Sequence, residues 1–151
     1  MWIEIQKLIK KGIIVMNKLT KKQMEVNEKI ARDILAFLKK KYCWEDVCIF
    51  FNGKAWSSNK TWNVFKGELI EEPDDTDPYI TINGVYEFTD IDSPKHWTEY
   101  ANEDTVTLVF DGAFYDWINY HGTVSEFENV LEKYNAYFEM GEAFNLSIYF
   151  N

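Results

Sequence analysis

The chain has 151 residues, 46% of them hydrophobic, so it is long enough to bury a core of its own and short enough to be one domain. Its net charge of −9 argues against loose binding to nucleic acid, and it has no apolar run near the ~18 residues that a membrane span needs. The charge is unevenly divided. Residues 1–66 hold 14 Lys and Arg and 6 acids, a net of +8, whereas residues 67–151 hold 2 Lys and Arg and 19 acids, a net of −17.

The first fifteen residues, MWIEIQKLIKKGIIV, do not have the pattern of a secretion signal, because charged residues are scattered through them and no small-residue cleavage site follows. Met16 begins MNKLTKKQ, and the preceding KKGIIV is what an AT-rich ribosome-binding site would give if it were translated. We therefore expect Met16 to be the natural start, residues 1–15 to be an upstream extension, and residues 16–151 to form a single α+β domain.

The segment that begins at Thr20 has the signals of a helix. Thr20 and Gln23 are spaced as a capping box, in which each side chain satisfies a backbone N–H group of the other residue. Three lysines at 39–41 lie where the negative end of the helix dipole is expected. This basic helix, over 18–41, is also where we expect any contact with nucleic acid. Apolar residues follow the helical period at Met24, Ile30, Ala31, Ile34, Phe37 and Leu38.

Strand patterns come next, and two Asn-Gly pairs between apolar runs, Asn52-Gly53 and Asn83-Gly84, predict tight hairpin turns in one sheet. Further strands are expected around Lys66-Gly67, in TVTLVF over 105–110 and in FNLSIYF over 144–150. A second capping box, Thr123-Val124-Ser125-Glu126, predicts a helix over 124–139 that Gly141 ends. The predicted class is α+β: a mostly antiparallel β-sheet built from Asn-Gly hairpins, with an N-terminal helix and a C-terminal helix packed on one face.

No metal and no cofactor are expected. Cys43 and Cys48 are too few for a disulfide framework and lack the second ligand pair of a structural zinc site, so a reducing cytoplasm fits them. The stretch EEPDDTDPY over 71–79 is acidic. Counted from Asp74 as an EF-hand loop, it has Tyr79 where the glycine belongs and Val85 where the glutamate belongs. A looser divalent site, a solvated turn and an acidic binding surface stay open for this stretch.

The best arrangement for acid–base or metal chemistry is Asp90, Asp92 and His96. Alternate residues of an extended chain share a face, so the two carboxylates could converge. No further ligand or nucleophile stands at a predictable spacing, and neither a Gly-x-Ser-x-Gly turn nor a phosphate-binding glycine loop occurs. We expect no catalytic residues and no enzyme activity, and a small hydrolase or metal-dependent enzyme at these three residues is an alternative.

Two aromatic residues stand out among the acids. Trp97 lies in the polar stretch SPKHWTEY, where no apolar period directs it inward, and Tyr100 follows it. Exposed Trp and Tyr are typical anchors of protein interfaces, whereas stacking on bases needs basic surroundings. We expect these aromatics and the acids of two loops, at the entry and exit of the second Asn-Gly hairpin, to form one partner-binding surface: Glu71, Glu72, Asp74, Asp75, Asp77, Asp90, Asp92, Trp97, Glu99, Tyr100, Glu103 and Asp104.

Such a surface can present carboxylates in place of phosphates to a basic cleft on another protein. In charge character, and not in any alignable motif, the chain resembles the acidic phage and mobile-element proteins that block restriction or CRISPR nucleases. That resemblance implies an anti-restriction or anti-CRISPR inhibitor in the cytoplasm of a bacterial host, with a basic, nucleic-acid-binding enzyme as its partner and no membrane contact. An immunity protein against a toxin nuclease and a structural component of a phage or transfer apparatus are the alternatives.

Overall fold

The fold is that of a computed structural model, which describes residues 19–58, 62–65, 68–70, 80–82, 89–90 and 93–151. Three helices are present in these residues, and their bounds are α1 Lys21–Lys40, α2 Gly112–Asp116 and α3 Val124–Glu132. The strands are β1 Val47–Phe51, β2 Lys54–Ser57, β3 Trp62–Phe65, β4 Glu68–Ile70, β5 Ile80–Ile82, β6 Thr89–Asp90, β7 Val106–Phe110, β8 Ala136–Met140 and β9 Asn145–Phe150. A short 3₁₀ turn spans Pro94–His96, and a π-helical turn over Trp117–His121 continues α2.

The described strands form two antiparallel sheets. The larger has six strands in the order β6-β2-β1-β7-β9-β8, and the smaller has three in the order β4-β3-β5. The predicted α+β class with an antiparallel sheet is therefore confirmed. The prediction of one sheet is wrong, because β5, which was expected to be the first arm of the second hairpin, pairs with β3. Asn83 and Gly84 lie outside the described residues, so the second hairpin stays a prediction.

The first Asn-Gly pair lies at the turn between β1 and β2. Phe51 is paired with Lys54, which leaves Asn52 and Gly53 as a two-residue loop. Both loop residues have positive φ angles, 51° and 71°, as a type I′ turn requires. Asparagine and glycine tolerate this left-handed region better than other residues, so the local sequence specifies the tight turn.

Helix α1 begins as its capping box predicts. The Thr20 hydroxyl accepts a hydrogen bond from the Gln23 N–H at 3.1 Å, and the Gln23 side chain accepts one from the Thr20 N–H at 3.0 Å. The predicted apolar stripe is buried except at Met24, which is 41% exposed. The buried position one turn further along belongs to a polar residue, Asn27, because two hydrogen bonds from its amide reach across to neighbouring loops.

The larger sheet has two covered faces, which explains why all five residues of β1 are buried. Strand residues alternate between faces. Ile49 of β1, Leu108 of β7 and Leu146 of β9 belong to the main core, to which α1 contributes Ile34 and α3 contributes Phe127. On the opposite face, a smaller cluster of Cys48, Phe50 and Ala55 packs against Trp97 and Val109. Helices therefore cover one face and loop residues cover part of the other.

The C-terminal helix is shorter than predicted. It ends at Glu132, and Asn135, with a φ of 55°, turns the chain into strand β8. Tyr137 and Phe138, which were expected on the helix, pair with β9, so Gly141 lies in the β8–β9 turn and is not a helix cap. The prediction of a helix over 124–139 is wrong at its C-terminal end. Residues 136–140 also fit the alternation of a strand, and β9 provides them with a backbone partner.

The second predicted capping box is also wrong. Thr123 is the N-cap residue of α3, but its side chain makes no capping hydrogen bond. The carboxylate of Glu126 instead forms an ion pair with Lys41, just beyond the end of α1. With or without a capping box, the carboxylate of Glu126 stabilises α3, because it lies near the positive N-terminal end of the helix dipole. The ion pair with Lys41 also links α1 to α3.

A second link between these helices joins Asp33 of α1 to Lys133 and Tyr134. The Lys133 Nζ lies 2.8 Å from the Asp33 carboxylate, and the Tyr134 hydroxyl donates to the same oxygen. Burial alone would raise the pKa of Asp33, but the hydrogen bonds from Lys133 and Tyr134 and the lysine charge outweigh it and hold the pKa below its ordinary value. The same contacts, led by the hydrogen bond to Asp33, raise the pKa of Lys133.

This link predicts a defined pH dependence. A depressed folded-state pKa means that Asp33 stabilises the fold above its unfolded pKa of about 4 and that this stabilisation is lost as the pH falls through the folded value. Replacement of Asp33 by asparagine should lower the free energy of unfolding by about 0.5–1 kcal/mol at pH 7, since the pair is partly exposed. Urea unfolding at pH 7 and below pH ~3 checks this, because the difference should shrink in acid. Glu45→Gln, at an exposed position, is the control, and a loss for Asp33→Asn that is independent of pH would contradict the assignment.

Candidate protein-binding surface

The chain between β6 and β7 positions the described part of the predicted surface. Residues 93–104 cross the sheet on the face opposite to α1 and α3, beginning with the 3₁₀ turn that the Ser93 side chain caps at the Lys95 N–H. The predicted anchor Trp97 does not stand free in this loop. It packs on Phe50, with ring centroids 5.2 Å apart, and is partly buried. Central strand β1 places Phe50 on this face, and Trp97 covers it. The prediction of an exposed Trp97 is therefore wrong.

Two buried hydroxyls fasten the loop to the sheet. Thr107 of β7 and Ser147 of β9 are register partners, and their oxygens lie 2.8 Å apart. The backbone N–H of Asn102 donates to both hydroxyls, at 2.9 and 3.2 Å, and Ser147 donates to the Tyr100 carbonyl at 3.1 Å. The side-chain amide of Asn102 also donates to the Ile148 carbonyl at 2.9 Å. The loop backbone is thus held on the sheet at residues 100 and 102.

The outer side of this loop is acidic. Glu99, Tyr100, Glu103 and Asp104 are all exposed, and Tyr100 retains 46% of its accessible area. Glu103 is positioned by a hydrogen bond from the Ser93 hydroxyl. The exposure of these four residues agrees with the prediction, because the attached side of the loop leaves them directed to solvent. Their role in binding a partner stays a prediction.

Strand β8 and the turn that follows it add two acids that sequence reasoning missed, one in each. Glu139 and Glu142 lie close to the loop, and a hollow of about 330 Å³ separates the two segments, with Glu99, Tyr100 and Glu139 among its lining residues. The charge of Glu99, a hydrogen bond to that carboxylate and the charge of Glu142 together raise the pKa of Tyr100. We call the six residues of this region the acidic surface: Glu99, Tyr100, Glu103, Asp104, Glu139 and Glu142.

The structure places the other predicted site residues as follows. Asp90 is exposed in β6, in register with Lys54 of β2. The side chain of His96 is outside what the structure describes, as are Glu71, Glu72, Asp74, Asp75, Asp77 and Asp92. The convergence of Asp90, Asp92 and His96, and that of the two acidic loops, therefore stay predictions. The described residues contain no group of three or more His, Cys, Asp or Glu side chains placed to hold a metal ion.

Both cysteines are free and buried. Burial raises the pKa of Cys43 to about 11, against the opposing charge of Lys41. Burial also raises the pKa of Cys48, although a hydrogen bond with Ser57 opposes it. Because the thiolate is the reactive form of cysteine, neither side chain has the properties of a nucleophile at neutral pH.

The fold and its surface define an α+β protein with an acidic region on the loop side of an antiparallel sheet. No match to the chain was found among protein-family models, curated proteins or solved structures. In the part of the chain that the structure describes, no helix combines the length and the apolar character that crossing a membrane requires.

The hydroxyl network leads to a prediction about the order of the acidic surface. Replacement of Ser147 by alanine leaves the Tyr100 carbonyl without its donor, and we expect a loss of about 1–2 kcal/mol in the free energy of unfolding. Amide hydrogen exchange at residues 99–104 should become faster than in the wild type, because the loop loses an attachment. Ser125→Ala, at an exposed position of α3, is the control. Unchanged exchange in the Ser147 variant would show that the network does not order the loop.

Proposed function

We propose that this protein is an inhibitor that acts by binding another protein, and that its acidic surface occupies a basic cleft of a nucleic-acid-acting enzyme. The observation that carries the proposal is the concentration of charge: a net of −17 over residues 67–151, with a group of exposed acids around Tyr100 in the described part. Carboxylates in this setting stand in for the phosphates of a nucleic acid and steer the two proteins together.

The way the loop is held supports a binding role. A surface that is ordered before it meets a partner loses less conformational entropy on binding. The Thr107–Ser147 pair and Asn102 order the backbone from which Glu99 and Glu103 project. Tyr100 adds an aromatic contact among the carboxylates, as tyrosine does at the centres of many protein interfaces.

The repulsion among the acids of the C-terminal half, residues 67–151, is the physical reason to propose a basic partner. Residues 67–151 contain only two cations, Lys95 and Lys133. Lys133 forms an ion pair with Asp33 of α1, on the helix side. Like charges held close together disfavour the isolated domain, and a basic cleft relieves that repulsion.

Helix α1 has a second role in this proposal. Its lysines at 21, 22, 29, 39 and 40 are exposed on a basic helix that a pure mimic of DNA does not require. We propose that they contact the nucleic acid that the target enzyme carries. The function then belongs to the anti-restriction or anti-CRISPR type, encoded by a phage or mobile element and acting in the cytoplasm of the bacterial host.

Charge reversal tests the proposal. The tagged protein is used to capture partners from host lysate, and the captured enzyme is purified and assayed on DNA with and without the inhibitor. The variant Glu99→Lys/Glu103→Lys should inhibit at least about tenfold more weakly than the wild type, because two attractive contacts become repulsive. Inhibition by the wild type should also weaken as salt rises from 0.05 to about 0.5 M, since screening then acts within a few ångströms.

The matched control is Glu45→Lys/Asp116→Lys, which makes the same change in net charge at two exposed positions outside the acidic surface. It should inhibit nearly as well as the wild type. Equal loss in both double variants would mean that net charge alone matters. Capture of proteins that do not act on nucleic acid, or full inhibition by Glu99→Lys/Glu103→Lys, would reject the proposal.

A further inference from the structure

Strand β8 is one edge of the six-stranded sheet, and its outer backbone groups have no strand partner among the described residues. The hydrogen bonds from Gly141 N–H to the Asn145 carbonyl and from Asn151 N–H to the Asn135 carbonyl set the phase of its ladder with β9. In antiparallel pairing, alternate residues use their N–H and C=O groups on the same side. The groups of Ala136, Phe138 and Met140 are therefore directed away from β9, toward the free edge.

A groove runs beside this free edge. It has a volume of about 470 Å³, with β8 forming one wall through Ala136, Tyr137 and Phe138. Helix α3 forms the other wall through Glu128, Asn129 and Glu132. The groove thus combines backbone groups that have no strand partner in the described part of the chain, on one side, with two carboxylates on the other.

The two carboxylates of this wall are exposed and are four residues apart on one helix face. Like charges at this spacing destabilise a helix. The ion pairs formed by described residues join other acids, Glu28, Asp33 and Glu126, to Arg or Lys. A cation placed in the groove between Glu128 and Glu132 would remove the repulsion.

The edge lacks the usual features that prevent strand addition. Strand β8 reads AYFEM, with no lysine and no proline, and its register with β9 is unbroken by a bulge. Pairing with β8 of a second copy is disfavoured, because it would bring two sets of Glu128 and Glu132 together. A basic strand from another protein meets neither obstacle.

We propose that an extended, lysine- or arginine-bearing segment of a partner protein adds to β8 as a seventh strand. Its backbone hydrogen-bonds to Ala136, Phe138 and Met140, which provides affinity without regard to sequence. Its side chains on the helix side carry the cations that meet Glu128 and Glu132, which provides selectivity for basic sequences. This site uses the free edge of β8 and the helix side of the sheet, whereas Glu139 of the same strand belongs to the acidic surface on the loop side. It shares with the proposed function only the basic character of the partner.

The test uses a short peptide of alternating lysine and valine, titrated into the protein labelled with ¹⁵N. We expect saturable binding that shifts the backbone amides of Ala136, Phe138 and Met140 and slows their hydrogen exchange. Two further peptides separate the contributions. The same peptide with glutamate in place of lysine, and the lysine peptide with every backbone nitrogen methylated, should each bind at least about tenfold more weakly. The methylated peptide keeps its charges and cannot donate backbone hydrogen bonds.

Protein variants test the two walls of the groove. Met140→Pro removes an N–H group that faces the free edge and leaves the ladder with β9, which uses Glu139 and Gly141. Glu128→Lys/Glu132→Lys reverses the helix wall. Each should weaken binding at least about tenfold, whereas Glu45→Lys/Asp116→Lys and Glu99→Lys/Glu103→Lys should stay within about threefold of the wild type. The last variant separates this site from the acidic surface, so that either proposal can fail without the other.

Three results would overturn the strand-addition proposal. One is no saturable binding of the lysine peptide. Another is equal binding of its methylated form, which would reduce the effect to general attraction by an acidic protein. The third is a dimer in solution that Met140→Pro dissociates, which would assign the edge to a second copy of the chain. If Met140→Pro fails to fold, the methylated peptide still decides the question on the wild-type protein.

Discussion

Replacement of Phe127 by alanine is expected to lower the free energy of unfolding by about 3–5 kcal/mol. Phe127 is fully buried, and its ring contacts Phe37 of α1, Phe114 of α2 and Phe138 of β8, with centroids 5.6, 5.7 and 5.2 Å apart. One side chain therefore connects three helices and an edge strand. Truncation removes its buried area and leaves a cavity that four separate elements cannot all close at once.

Urea unfolding followed by tryptophan fluorescence measures this loss. The control is Phe144→Ala, since Phe144 is 42% exposed and should change the free energy of unfolding by less than about 1 kcal/mol. Losses of similar size for the two variants would contradict the central position of Phe127. A measured loss near the upper end of the range would unfold a domain of marginal stability, so expression level provides a second readout.

The second large effect is expected at Asn27. Its side-chain amide donates to the Asn52 side chain at 3.1 Å and to the Asp104 carbonyl at 2.9 Å, and the residue is fully buried. Asn52 in turn donates to the Met24 carbonyl at 2.8 Å. Replacement by leucine keeps the volume and leaves the Asp104 carbonyl without this donor, so we expect a loss of about 2–3 kcal/mol.

Thermal unfolding and amide exchange check the Asn27 prediction. The Asn27→Leu variant should be less stable than the wild type, and its backbone amides at residues 103–105 should exchange faster. Both effects are expected because Asn27 attaches α1 to the end of the loop over residues 93–104. Asn129→Leu, at an exposed position of α3, is the control and should have little effect on either quantity. Normal exchange at 103–105 in Asn27→Leu would show that the loop is held by the sheet alone.

Features set by neighbouring residues could be predicted from the amino-acid sequence. The capping box at Thr20, the turn at Asn52-Gly53 and the strand over Val106–Phe110 each depend on contacts or backbone preferences within a few positions. The acidic half was likewise evident from composition, and the exposure of Glu99, Glu103 and Asp104 follows from the cost of burying a charge.

Only the tertiary structure decided the features that depend on distant partners. Residues 136–140 fit a helix or a strand by pattern, and β9 resolved the choice by pairing with them, which placed Glu139 on the acidic surface. Trp97 has polar neighbours in sequence, yet Phe50, some fifty residues earlier, buries part of its ring. Ser147 and Thr107 resemble ordinary strand residues until register sets their hydroxyls together beneath Asn102. The partner lies 6 to 14 positions away for β8 and β9, 40 for Thr107 and Ser147, and 47 for Phe50 and Trp97. Pairing and packing across these separations are not encoded in any local pattern.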